Sequence, residues 1–289
     1  MIDQQLDEIV KNQNPAAAFA QLRRLMADDN VASRCHLLAH TIGESAFIKY
    51  KNFKEAIKFN DDICGSGYVH GLAINVLNAS ANPTDTIHSL CDGMDGFCYH
   101  GIGHGLMFYT KNNVPDSANY CLTLDTNEHQ TRCSEGVFMQ NFESSELQMY
   151  ATPYFFPNDP LKICRTETHF KPACYLYAGA YLAKQNLKTN TDLFSACNFS
   201  ESGYINQCVS GMGSYIMATN LNNPKKAESI CEQIDNQAVK SACIDGLVSY
   251  HLVNYNSIEK TETFCASLEA ANQPACNTSL LKRKQYYQK

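Results

Sequence analysis

The run Cys91-Asp-Gly-Met-Asp-Gly-Phe-Cys98-Tyr-His100-Gly101-Ile-Gly-His104-Gly-Leu-Met-Phe-Tyr109 decides how the whole chain is read. Two cysteines stand seven residues apart. A glycine follows the second by three positions, and an aromatic residue closes the segment. The same order recurs along the chain. Cys64, Cys98, Cys133, Cys174, Cys208, Cys243 and Cys276 are separated by steps of 34, 35, 41, 34, 35 and 33 residues. The last six each have an upstream partner, namely Cys91, Cys121, Cys164, Cys197, Cys231 and Cys265, 7 to 12 residues before them. Small residues recur three positions after the second Cys, at Gly67, Gly101, Gly136, Gly211, Gly246 and Ser279.

A period of about 34 residues is the signature of a helical repeat. The spacing predicts one helix ending near the first Cys of each pair, a short turn, and a second helix starting near the second Cys. A disulfide across the turn staples the two helices. Neighbouring hairpins stack, because one hairpin cannot bury its own apolar face. A glycine early in the second helix costs helix propensity, which is tolerable where two backbones must approach closely. The expected fold is therefore all-α, a right-handed solenoid of disulfide-stapled helical hairpins. Residues 1–34 form an N-terminal helical cap, with helices over 3–12 and 15–28 and Pro15 at a helix start. Residues 35–110 form His/Cys/Gly-rich hairpins. Residues 111–289 form Cys-paired repeats with an insertion near 144–163, whose segment Met149–Pro157 is aromatic and bounded by prolines.

The run from Cys91 to Tyr109 resembles the tetratricopeptide-like, cysteine-rich helical repeat proteins of bacteria. The resemblance covers residues 85–280 as architecture. It implies a solenoid and a secreted or periplasmic setting, and it carries no catalytic residues.

The 289 residues include fourteen Cys, an even number, with none in a Cys-x-x-Cys pair. That usage points to an oxidising compartment. Cys35 and Cys64 are left over from the local pairs; they either bridge to each other or remain thiols. The first 30 residues are polar and helical in pattern and do not read as a signal peptide. Export therefore requires a leader or anchor absent from this chain, or an unconventional route. The net charge of −6 gives no basic field for nucleic acid. The one basic run, Lys282-Arg283-Lys284, reads as a frayed tail. No stretch approaches the 18 apolar residues of a membrane span.

Five of the nine His fall in three motifs. They are Cys35-His36-Leu-Leu-Ala-His40-Thr-Ile-Gly43-Glu44, Cys64-Gly-Ser-Gly67-Tyr68-Val-His70-Gly71, and Cys98-Tyr99-His100-Gly101-Ile-Gly103-His104-Gly105. His36/His40 and His100/His104 are i, i+4 pairs, one helical turn apart on one face. Glu44 extends the first face. His70 and His104 both stand six residues after a repeat Cys, so stacking brings them together. Later repeats carry Met139, Ala180, Ser214 and Ser249 at that position, which confines the His to one end of the array.

This pattern predicts a metal site of His36, His40, His70, His100 and His104, with Glu44 as ligand or supporting partner. Imidazole suits copper, iron or zinc. Five His exceed one tetrahedral zinc, which favours a dinuclear site or one ion with two supporting His. Tyr68 and Tyr99 lie beside the motifs as packing or tuning residues. His88, His129, His169 and His251 read as surface or packing residues. No P-loop, dinucleotide motif, Gly-x-Ser-x-Gly elbow or His-Glu-x-x-His is present. The functional expectation is an exported metal-binding protein, extending to metal-dependent oxidation of a small molecule. The alternative is a non-catalytic scaffold that binds a protein partner, through the aromatic insertion.

Overall fold

The computed structural model describes residues 1–94, 96–147, 152–187, 193–284 and 287. Among the described residues the chain is all-helical, with seventeen α-helices, three short 3-10 helices and no strand. The contacts divide it into two compact units, Met1–Phe155 and Phe156–Lys289.

The first unit opens with α1 (Ile2–Asn12), α2 (Pro15–Leu25) and the single turn α3 (Asp29–Ala32). Asn14 caps α2 by accepting from Ala17 N–H, and Pro15 takes the first helical position. The unit continues through α4 (Cys35–Tyr50), α5 (Phe53–Ala56), α6 (Gly67–Asn78), α7 (Pro83–Ser89), α8 (Gly96–Tyr109), α9 (Val114–Leu122) and α10 (Asn127–Leu147). The longer helices stack in chain order: α4 on α6, α6 on α8 and α8 on α10. α1 and α2 pack on α4, and Leu6, Val10, Phe19, Leu22, Leu38, Ile42, Tyr68 and Leu72 form the core there. Tyr68 is a packing residue: its ring meets Phe19 edge-on at 5.6 Å and its hydroxyl donates to Ala56 O at 2.6 Å.

The second unit repeats the plan with α11 (Lys162–Thr166), α12 (Lys171–Asn186), α13 (Ile205–Ala218), α14 (Pro224–Cys231), α15 (Gln237–Tyr255), α16 (Ile258–Ser267) and α17 (Gln273–Lys284). Here α12 packs on α13, α13 on α15, and α15 on α17.

All fourteen Cys are paired. Six disulfides are the expected local staples, from Cys91–Cys98 to Cys265–Cys276, with separations of 7 to 12 residues. Each such loop contributes about 2–3 kcal/mol in the chain-entropy account. The leftover pair bridges as well: Cys35 joins Cys64 across 29 residues.

The small residues sit where two backbones meet. A Cβ at Gly103 would overlap the carbonyl oxygen of Cys133, and one at Gly136 that of His100, so the two glycines face each other between α8 and α10.

The basic run is not a frayed tail. It forms the last turn of α17, where Arg283 pairs with Asp245 at 2.7 Å and Lys284 with Glu262 at 2.5 Å. The run gains order because α15 and α16 present carboxylates to it. Of the aromatic insertion, Met149, Tyr150 and Ala151 lie outside the described residues. The described part folds back on its own unit: Thr152 Oγ1 donates to Asn141 Oδ1 at 3.0 Å, and Phe155 meets Phe142 edge-on.

Candidate metal centre

Three stacked helices each deliver imidazoles to one place. His36 and His40 come from α4, His70 from α6, and His104 from α8. One ring nitrogen from each of these four lies within 4.8 Å of the others. Among the described residues this is the group able to hold a metal ion. The helices reach this proximity through their glycines; a Cβ at Gly101 would come to 3.0 Å from both the Cα and the ring of His70.

The second nitrogen of three of these rings is already committed. His36 Nδ1–H donates to Cys64 O at 2.8 Å. His70 Nε2–H donates to Phe97 O at 3.1 Å, and His104 Nδ1–H donates to Gln140 Oε1 at 2.9 Å. An oxygen acceptor on one nitrogen fixes the tautomer and leaves the lone pair on the other. The free positions are thus His36 Nε2, His70 Nδ1 and His104 Nε2. His70 Nδ1 and His104 Nε2 are buried and have no hydrogen-bond partner. His40 Nε2 lies 3.1 Å from His36 Nε2. Because the lone pair of His36 faces it, His40 is the donor in that contact.

Burial is close to complete: His70 is 1% and His104 0% exposed, while His36 is half-buried and gives the group its edge toward solvent. Burial holds the His36 pKa down to about 4, against a partial rise from the Cys64 carbonyl. His40, His70 and His104 are driven well below the usual range by burial, and neighbouring His charge adds to the effect. The rings are therefore neutral at ordinary pH, the protonation state that a metal requires.

His100 takes a different position from its i+4 partner. Its ring stacks on His70 at 4.8 Å and lies 5.0 Å from His104, but it stands outside the convergent group. Its Nδ1 is 3.9 Å from Glu135 Oε2, which Arg132 holds at 2.9 Å. Burial works to raise the Glu135 pKa; the Arg132 charge, helped by His100, overrides it and brings it to about 2. Glu44 continues the α4 face but is exposed and is not in the convergent group, although the surrounding protein desolvates its carboxyl and raises its pKa. Tyr99 stacks on His129 at 3.8 Å, which makes it a packing residue.

Gln140, Glu135 and Arg132 were not visible as site residues in the sequence. Gln140 stands seven residues after Cys133, one place past the position that carries His70 and His104 in their repeats. The Cys64 and Phe97 acceptors are backbone carbonyls, and residue type gives no sign of them. His251, in the second unit, is a buried packing residue: its Nδ1 bonds Thr261 Oγ1 at 2.9 Å and its ring stacks on Phe264.

Comparison with family models, curated proteins and solved structures finds no match for this chain.

Proposed function

We propose that this is an exported metal-binding protein holding one transition-metal ion on His36, His40, His70 and His104. One observation carries the reading. Three imidazoles donate their outer N–H to a fixed oxygen and turn their inner lone pairs into one group, where those of His70 and His104 are buried with no hydrogen-bond partner and that of His36 meets His40. A buried polar atom without a partner is costly, and a His whose second nitrogen is bonded to an oxygen is the usual arrangement of a metal ligand. A tetrahedral ion with nitrogens at 2.0–2.1 Å holds them about 3.3 Å apart, so a group whose nitrogens lie within 4.8 Å of one another draws in on binding.

The ligand count supports one ion rather than a dinuclear centre, because four nitrogens converge and His100 lies outside them. Four neutral nitrogens suit zinc(II), which has no geometric preference of its own; copper is the competitor, and iron is less well served without a carboxylate ligand. Glu135 sets a carboxylate 3.9 Å from His100 Nδ1, whose ring stacks on that of His70. A four-nitrogen set deep in a core leaves no open position, so retention of the metal is favoured over oxidative turnover. Seven disulfides support a secreted or periplasmic location. The hairpin register is also the support for kinship with tetratricopeptide-like cysteine-rich repeat proteins.

The test is elemental analysis of protein purified without chelators and then dialysed against a zinc and copper mixture. One ion per chain is expected, and a His70→Ala, His104→Ala double variant of unchanged helicity should retain none. A chain that takes up no ion, or a variant that retains it, ends the proposal.

A further inference from the structure

The Cys35–Cys64 disulfide differs from the other six. Those close loops of 7 to 12 residues within a hairpin, whereas this one spans 29 and ties the start of α4 to the turn before α6. It thereby joins the helix of His36 and His40 to the helix of His70. Cys35 immediately precedes His36, and the carbonyl of Cys64 accepts the His36 Nδ1–H. That carbonyl belongs to a run of three left-handed residues, with φ of 58° at Cys64, 64° at Gly65 and 55° at Ser66. Only Gly65 adopts such a backbone without penalty, so the turn persists because its surroundings hold it.

We infer that the Cys35–Cys64 bridge is the positioning element of the metal site, so that the chain takes up its ion tightly only after this disulfide has formed. The inference rests on the four-imidazole reading above. Two thiols lose two electrons and two protons to a disulfide of the thiol–exchange class, which leaves as a dithiol. The new bond pins the left-handed turn, and the turn sets the ring of His36. Both sulfurs are then enclosed, with Cys35 0% and Cys64 1% exposed. The step is therefore a one-way licence that confines tight loading to an oxidising compartment. It does not act as a reversible switch.

Zinc(II) affinity, measured by competition with a chromophoric chelator, tests this. The parent, a Cys35→Ser, Cys64→Ser variant and a Cys231→Ser, Cys243→Ser control from the second unit are compared, with helicity followed by circular dichroism. The first variant should bind zinc roughly 10- to 100-fold more weakly, as expected for loss of a group that orients a ligand, while the control stays within about threefold of the parent. Gly65→Val keeps both sulfurs but disfavours the left-handed turn, and should weaken zinc binding in the same direction. It decides the matter if the Cys35, Cys64 variant does not fold. A parent that binds no zinc overturns the four-imidazole reading. A parent that binds, with Gly65→Val and any folded Cys35, Cys64 variant binding equally well, overturns this inference alone.

Discussion

Gln140 holds His104 in the tautomer that points its lone pair inward, and it does so without being a ligand. Gln140→Leu keeps all four imidazoles and removes that acceptor. Zinc affinity should fall about 10- to 100-fold with little change in helicity; chelator competition measures it, and an unchanged affinity would show that His104 needs no orienting partner. His40 has the opposite character. It faces His36 Nε2 at 3.1 Å as a donor and must turn or shift its proton before it can bind. His40→Ala should therefore leave a three-nitrogen site that keeps the ion with a water in the fourth place. The optical spectrum of the cobalt(II)-substituted protein would register that change of coordination, and complete loss of cobalt would place His40 among the fixed ligands. The legibility of the site follows the same division. The i, i+4 spacing and the repeat register brought His36, His40, His70 and His104 into view from the sequence. Spacing alone could not separate His104 from His100, because the partner that draws His100 aside, Glu135, lies on another helix.

At the scale of the helix, the repeat is readable because most hairpins mark themselves twice, by a cysteine pair and by a small residue three positions on, the Cys164–Cys174 hairpin with Tyr177 being the exception. The hairpins carry a third mark as well. Asparagine caps the first helix of three of the hairpins, at Asn82, Asn113 and Asn223, each accepting a backbone N–H, with proline in the first turn. The final repeat replaces glycine with Ser279, whose hydroxyl donates to Asp245 beside Arg283. Gly136, Gly211 and Gly246 instead keep the backbone bare where a neighbouring helix's carbonyl comes close. Gly136→Ala should cost about 2–3 kcal/mol, because the added methyl meets the His100 carbonyl and helices cannot give way without repacking. Gly203→Ala, where nothing lies within 4 Å, should change stability by less than about 0.5 kcal/mol. Denaturant midpoints of the two variants check the contrast; equal effects would mean that backbone approach does not set the glycine positions.

The molecule as a whole places its chemistry unevenly. All four convergent His belong to Met1–Phe155, while Phe156–Lys289 carries the same helical grammar without them. The second unit holds its own buried base, His251, whose pKa burial lowers to about 4 with help from the Lys260 charge. Its unfolded form binds a proton near pH 6.5, so between that pH and about 4 the unfolded state carries more protons than the folded one. Stability therefore falls as pH drops through this window, by on the order of 2–3 kcal/mol from this residue. The His cluster of the first unit has the same sign, but a bound ion opposes it, because metal and proton compete for the same lone pairs. Calorimetry of 1–155 and 156–289 as separate chains at pH 5 and pH 7 should show both losing stability at the lower pH. Zinc at about 100 times its dissociation constant should restore about 2.7 kcal/mol to the first, and should leave the second where it was. Zinc stabilisation of 156–289, or none of 1–155 at pH 7, would contradict the assignment of the metal to the four imidazoles.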